Sequence, residues 1–481
     1  MKTCDIFFLY LVIILHFSVS SSSPLVFPLT HSLSTSKHSS SPLHLLKSSS
    51  SRSSARFRRH HHKHQQQQHQ LPLPLSSGSD YLLSLSLGSS SSSSSISLYL
   101  DTGSDLVWFP CRPFTCILCE SKPPSSPTSL PSSATALPCS SPSCSAAHSS
   151  LPTSDLCAIS NCPLDLIETR ECKNYSCPPF YYAYGDGSLV ARLFSDSLSL
   201  PPLTVANFTF ACAHTTLAEP IGVAGFGRGR LSLPAQLAPH LGNSFSYCLV
   251  SHSFDSDRVR RPSPLILGRF AEEEKEKRVD DFVYTELLDN PKHPYFYSVS
   301  LQGISVGKRN IPAPAMLRRV DRHGGGGVVV DSGTTFTMLP EKFYNLVVEE
   351  FDSRVGRVHE RADRVEPGSG MSPCYYLNNQ TVIRVPALVL HFAGNGSSVT
   401  LPRRNYFYEF MDDGDGKEEK RRVGCLMLMN GGDESELRGG TGAVLGNYQQ
   451  QGFEVVYDLL NRRVGFAKRK CASYWDTLNQ G

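Results

Sequence analysis

Two stretches decide the reading of this chain: Leu98-Tyr99-Leu100-Asp101-Thr102-Gly103-Ser104 and, 230 positions later, Val328-Val329-Val330-Asp331-Ser332-Gly333-Thr334. Each is a short apolar run, the pattern of a buried strand, ending in an acidic tetrapeptide suited to a tight turn. Each is followed at similar distance by two apolar residues and a glycine, Val223-Ala224-Gly225 and Val444-Leu445-Gly446, with the glycines 124 and 115 positions beyond their aspartates. A signpost repeated in this way predicts two homologous lobes, each supplying one strand-end aspartate. At average composition an Asp-[Thr/Ser]-Gly-[Ser/Thr] tetrapeptide arises by chance only on the order of a few hundredths of a time in a chain this long. Two copies with matched surroundings therefore carry weight that one would not.

If the two turns face each other across a pseudo-twofold axis, the Asp101 and Asp331 carboxyls come within hydrogen-bond distance. Two carboxylates held that close resist joint ionisation, so one pKa falls, the other rises, and the pair shares a proton in mild acid. One member then acts as base and the other as acid toward a water attacking a peptide carbonyl, with no metal or covalent intermediate needed. Gly103 and Gly333 allow the backbone to approach the carboxylates, and the hydroxyls of Thr102, Ser104, Ser332 and Thr334 can hold them by hydrogen bonds. Two unrelated Asx turns at strand ends are the plain alternative.

Outward from these turns, the chain beyond about Ser76 alternates short β-branched and aromatic runs with Gly, Pro and Asn punctuation, which predicts an all-β architecture. The charged run from Glu272 to Asp281 reads as a solvated loop. At the start, Lys2 and the apolar stretch Ile6 to Phe17, followed by small residues, read as a signal peptide over 1–22. The stretch is too short for the roughly 20 apolar residues of a membrane span. Residues 23–76 are Ser-rich, then basic and His-rich (Arg52, Arg56, Arg58, Arg59, His60, His61, His62, Lys63, His64), then glutamine-rich. Such composition predicts little core. The segment reads either as a disordered linker or as a removable prosegment whose cations neutralise an acidic cleft until processing; metal binding by the histidines is a third alternative. Processing is expected between about His64 and Asp80, where exposed low-complexity chain is easily cut. The two catalytic lobes are expected over 77–245 and 246–481.

Among the 481 residues, 46 Lys and Arg face 43 Asp and Glu, a formal net charge of +3, which argues against a nucleic-acid binder driven by bulk charge. The first 75 residues hold eight of the basic groups and one of the acids, so the body is faintly acidic. Of 15 cysteines, Cys4 belongs to the leader, leaving Cys111, Cys116, Cys119, Cys139, Cys144, Cys157, Cys162, Cys172, Cys177, Cys212, Cys248, Cys374, Cys425 and Cys471. An even count in an exported chain predicts a disulfide framework whose pairing the sequence leaves open. Zinc is the competing reading of the close pairs, disfavoured because no histidine is interleaved at ligand spacing. Sequons at Asn174, Asn207, Asn379 and Asn395 permit glycosylation.

Here the sequence resembles the pepsin family of aspartic proteases and, more closely, its atypical cysteine-rich plant branch typified by nepenthesins. The resemblance spans roughly residues 78 to 470 and rests on LYLDTGSDLVW (98–108), YGDGS (184–188), SFSYCL (244–249), YFYSVSLQGISVG (295–307), VVVDSGTTFTML (328–339) and VLGNYQQQGFEVVYDLLNRRVGF (444–466). It implies a bilobal pepsin-like β-barrel fold with the cleft between two pseudo-twofold-related lobes. It implies Asp101 and Asp331 as the catalytic pair, Thr102 and Ser332 as cross-braces between the loops, and Ser104 and Thr334 as partners of the carboxylates. Tyr184, with Gly185, matches a flap that closes over substrate, and Trp108 its support. The resemblance also pairs Cys248 with Cys471 and Cys374 with Cys425.

The function expected is that of a secreted aspartic endopeptidase acting at acidic pH on protein or peptide substrates. A monomer is expected, with no cofactor, metal, nucleic acid or membrane anchor, located in the apoplast or cell wall with the vacuole as alternative. The rival from another class is a protease-shaped inhibitor or wall-binding protein that has lost catalysis; the intact motif residues disfavour it. A glycosidase with paired carboxylates is a further alternative, opposed by the duplicated loops and the flap.

Overall fold

A strand and a long helix stand where low complexity predicted little core. Strand β1 (Leu25–His31) and helix α1 (Pro42–Arg59) both pack on the body, with Leu29, Leu46 and Phe57 fully buried. The expectation of a core-poor segment is corrected for these residues. The reason is that α1 buries a face built largely of serine: Leu46, Ser49, Ser50, Ser53, Arg56 and Phe57 recur at helical spacing and are all buried. Small side chains let the helix lie close to its neighbours, and their hydroxyls bond to loop backbone, Ser50 Oγ donating to the Ser369 carbonyl (3.3 Å) and Ser53 Oγ accepting from Phe336 N–H (3.2 Å).

The computed structural model describes residues 23–35, 41–59, 80–88, 94–119, 127–148, 151–169, 172–183, 187–218, 221–252, 254, 261–269, 281–378, 383–412, 420–434 and 439–479. The expected signal peptide, the His- and Gln-rich run, most of the charged run 272–281 and the flap residues 184–186 lie outside them. Among the described residues, nineteen strands join in one hydrogen-bonded sheet, beside a four-stranded and a three-stranded sheet in the second half of the chain. The all-β reading is correct.

In the first half, β2 (Tyr81–Leu87) runs antiparallel to β3 (Ser94–Asp101), and β4 (Val107–Ile117) follows the first acidic turn. β5 (Phe180–Ala183) and β6 (Ser188–Leu200) form a hairpin in which Ala183 opposes Ser188, and β6 pairs along its length with β7 (Leu203–Leu217). β8 (Val223–Gly225) then inserts parallel to β3, setting Asp101 opposite Gly225, and antiparallel to β4.

The second half repeats this knot of strands. β9 (Ser244–Cys248) and β10 (Ser263–Leu267) precede β11 (Val328–Val330), whose apolar triplet ends at Asp331. After the turn come β12 (Thr337–Leu339), β13 (Leu428–Asn430) and β14 (Ala443–Leu445). β14 lies parallel to β11, Val330 opposite Leu445, and antiparallel to β12. The outgoing strands match too, since β4 pairs parallel with β7 and β12 parallel with β13. The duplicated signposts are thus the two halves of one strand–turn–strand device, closed each time by the apolar-apolar-glycine strand.

The halves are joined by β9, which pairs antiparallel with β10 and with β15 (Phe453–Asp458); β16 (Arg463–Lys468) follows as partner of β15. β1 completes this region, pairing Leu25 to Leu29 with β10 and Leu29 to His31 with β2. The expected lobe boundary after residue 245 lies inside β9.

Candidate active site

The ends of β3 and β11 carry the two acidic turns, and each turn holds its own aspartate identically. Asp101 accepts from Gly103 N–H (2.9 Å) and Ser104 Oγ–H (2.7 Å); Asp331 accepts from Gly333 N–H (2.8 Å) and Thr334 Oγ–H (2.6 Å). The loops are cross-braced. Thr102 N–H donates to Ser332 Oγ (3.0 Å) and Ser332 N–H to Thr102 Oγ1 (2.9 Å), while the two hydroxyls donate to the Val330 and Leu100 carbonyls on the opposite strands. A side chain added at Gly103 would meet Asp331 Oδ1 at 2.8 Å, and one at Gly333 would meet Asp101 Oδ1 at 2.2 Å. Glycine is required at both positions because each loop lies directly against the other loop's carboxylate.

Both carboxyls are almost wholly buried, and a third charge stands between them. Arg56, from α1, donates from Nη2 to Asp101 Oδ1 (2.6 Å) and from Nε to Asp331 Oδ2 (3.1 Å). Burial pushes the Asp101 carboxyl up, but the charge and hydrogen bonds of Arg56, with the bonds from Ser104 and Gly103, hold it below the usual carboxylate range. Asp331 lies on the other side of that range: burial raises it, Arg56 opposes, and the negative charge of Asp101 raises it further. The two carboxyls are thus pushed to opposite sides of the usual range, Asp101 below it and Asp331 above it.

Trp108 is fully buried in β4, opposite Val223 of β8 and Ala211 of β7, and belongs to the same apolar cluster as Phe180 and Leu189 of the β5–β6 hairpin. Tyr184 and Gly185, which follow Ala183 in sequence, lie outside the described residues.

Three groups that sequence reasoning left unassigned complete the setting. Asp105 accepts from Gly229 N–H (2.8 Å), and its carboxyl is pushed up to about 6, chiefly by burial. Gln450 donates to the Asp331 and Leu445 carbonyls (3.3 and 2.8 Å) and accepts from Tyr247 Oη–H (2.5 Å). Asn447 donates to the Ser332 carbonyl (3.0 Å). The polar run Asn447-Tyr448-Gln449-Gln450-Gln451, buried throughout, was the available signal: consecutive amides directly after a core strand must find partners.

Six disulfides are present among the described residues. Cys248 joins Cys471 and Cys374 joins Cys425, the partners the resemblance implied; the others are Cys111–Cys212, Cys116–Cys119, Cys144–Cys177 and Cys157–Cys172. The expectation that all fourteen cysteines pair is corrected at two: Cys139 and Cys162 are buried free thiols. An even count permits full pairing without enforcing it. Their sulfurs lie within 4.8 Å of those of Cys157 and Cys172; with the latter two bonded, only two thiolates are left, short of a closed structural zinc site. Of the sequons, Asn174, Asn207 and Asn395 are exposed, and Asn379 lies outside the described residues.

Comparison with known proteins follows the same outline. A family model described as xylanase inhibitor N-terminal matches residues 81–269, and one described as xylanase inhibitor C-terminal matches 296–468. A probable aspartyl protease of Arabidopsis thaliana is 81% identical over 99% of this chain and all of its own length. Aspartic proteinase nepenthesin-2 of Nepenthes gracilis is 31% identical over 78% of this chain and 74% of its own. Among solved structures, basic 7S globulin from soybean superposes with a TM-score of 0.59 at 18% identity, over 93% of this chain and 98% of that one, a likeness of fold.

Proposed function

We propose, for a chain that belongs to the nepenthesin-like branch of the plant pepsin-like aspartic proteases and is thereby an aspartic-type endopeptidase, that Asp101 and Asp331 are its catalytic pair. We propose further that the arrangement with Arg56 between them is its latent form. The observation that carries this reading is the pair of cross-braced turns, each presenting a buried carboxyl to the other. Once Arg56 leaves, the ionised Asp101 takes a proton from a water held between the carboxyls, and the water oxygen adds to the peptide carbonyl. Asp331 protonates the forming oxyanion, and the proton on Asp101 then passes to the leaving amine. The active window lies in mild acid, where one proton is shared by the pair. In the same reading Tyr184 is the flap residue that closes over substrate, and Trp108 its support, as the family resemblance implies.

Export, removal of the segment ahead of Asp80, and glycosylation at the sequons belong to the same reading; among the described residues no helix is long and apolar enough to cross a membrane. The apoplast or cell wall is the proposed location.

The test is hydrolysis of an unstructured protein by the processed chain in mild acid, with and without pepstatin, beside Asp101→Asn. Cleavage that pepstatin blocks and the variant abolishes is the expected result. A folded, processed chain that cleaves nothing would sink the reading and favour the protease-shaped inhibitor.

A further inference from the structure

We propose that His31 and His252 form a proton-operated latch that holds the N-terminal segment (β1 and α1) on the body above about pH 6 and releases it in mild acid. The latch rests on the reading of that segment as a removable cap.

His31 ends β1, and His252 sits on the body just beyond β9. Their rings lie 3.9 Å apart between centroids, and His31 packs edge-on against Tyr81 of β2 (4.9 Å). Both residues are buried, and neither Nε2 has a hydrogen-bond partner. Both Nδ1 atoms are in use as acceptors. Leu33 N–H donates to Nδ1 of His31 (3.2 Å), and the Gln451 side-chain amide donates to Nδ1 of His252 (2.9 Å), its orientation fixed by Gln451 Oε1 accepting from His252 N–H (3.4 Å). Each imidazole is therefore neutral with its proton on Nε2, and a second proton must go to Nδ1 and break the bond there. Charging both rings adds two facing cations in a buried site without an acceptor for either new proton.

Among the charges around the pair, Asp80 favours the protonated rings, but burial outweighs it and holds both imidazoles down. Asp80, immediately before β2, already accepts from Arg52 of α1 (3.1 Å), Thr335 Oγ–H (2.8 Å) and Asn447 Nδ2–H (3.0 Å). Arg52 is itself a cation on the segment. Tyr81 and Tyr448 are the other titratable groups packed on the rings. On the open side, His252 borders a groove lined by Arg403, Arg404, Glu409 and Arg422, a route for water to reach the ring. Burial holds His31 well below the usual imidazole value and His252 down at about 4. The sign follows: the detached state takes up protons first, so attachment is undisturbed above the ordinary value of 6.5 and weakens as pH falls toward 4. His252 alone shifts the release equilibrium about 20-fold between pH 7 and 5. Asp80, which holds Arg52, and Asp101, which holds one side of Arg56, both lie below the usual carboxylate range, whereas Asp331 on the other side of Arg56 lies above it. The imidazoles therefore yield before the Arg52–Asp80 and Arg56–Asp101 pairs do.

The test is hydrogen–deuterium exchange of the full chain within seconds of a pH jump, read on peptides from β1 and α1. It needs no catalytic turnover, so a catalytically silent protein would count against the proposed function and leave the latch open to judgement. The segment is expected to lose protection between pH 6.5 and 4, and the double variant His31→Gln/His252→Gln to retain it at least one pH unit lower. Equal midpoints would overturn the latch and assign acid sensing to the carboxylates. Should the Gln pair fail to dock at pH 7, His31→Lys decides: loss of protection in β1 and α1 with β3 and β14 still protected supports the latch, and a segment that stays attached at pH 7 in that variant refutes it.

Discussion

Asp105 is a third acid at the edge of the dyad, and its surroundings make a measurable pH signature. The carboxyl sits inside a ring of glycines: side chains built at Gly227 and Gly229 would meet it at 2.4 and 1.7 Å, so the loop exists in this form only because those positions are bare. Burial pushes the group up to about 6, Gly229 N–H opposes, and the negative charge of Asp101 adds to the rise. Since the folded state holds this proton above the ordinary value of 3.8, it contributes stability that is complete below that value and lost as pH rises through about 6. Asp105→Asn keeps the acceptor for Gly229 and removes the titration. Urea denaturation across the window from acid to near-neutral pH should show the wild type losing up to about 3 kcal/mol relative to the variant. Parallel stability profiles would mean the carboxyl titrates normally. The sequence placed Asp101 and Asp331 through duplication, but Asp105 occurs once, and nothing in a single chain marks a lone acid as buried.

At the scale of elements, legibility followed periodicity. The strands that end in the dyad announced themselves as apolar triplets before acidic turns, and β8 and β14 as apolar pairs before glycine. Helix α1 was illegible because four of the six buried positions on its inner face are serine or arginine, residues that read as solvated or disordered. Arg56 was visible as a cation of the leader; its place between the carboxyls depends on the helix that carries it. The apolar anchors of that helix are few, which makes each one costly to lose. Phe57 is fully buried among Phe254, Phe336, Met338, Met429 and Tyr448. Phe57→Ala should cost about 3–5 kcal/mol of attachment. Because the segment is an N-terminal strand and helix laid against β10, β2 and the second half of the chain, the loss should fall on its docking and leave the body folded. Trypsin added at neutral pH to the full chain should then cut rapidly at Arg52, Arg56, Arg58 and Arg59, while wild type resists at all but the exposed end of the helix. Equal cutting rates would show that Phe57 does not hold the helix down.

Across the whole molecule, the ends of the body are tied at the sheet that joins the lobes. β9 lies between β10 and β15, and beneath it Arg269 and Glu454 form a fully buried ion pair, with Ser246 Oγ–H also donating to Glu454 (2.9 Å). Satisfying the buried charges fixes how the last strands meet the middle of the chain, with Arg469 also donating to Glu454 (3.3 Å). Cys248, at the end of β9, is bonded to Cys471 on the terminal helix, closing 223 residues of chain. If this bond acts by restricting the unfolded chain, its worth scales with the logarithm of the loop and comes to about 5 kcal/mol, against about 2 kcal/mol for the three-residue separation of Cys116–Cys119. Guanidinium denaturation of Cys248→Ser/Cys471→Ser and of Cys116→Ser/Cys119→Ser should therefore give clearly unequal losses, larger for the long loop. Equal losses would place the contribution of these bonds in local packing of the folded state, and the terminal helix would then be held by its own contacts with β10 and with Glu454 and Arg269 through Tyr474.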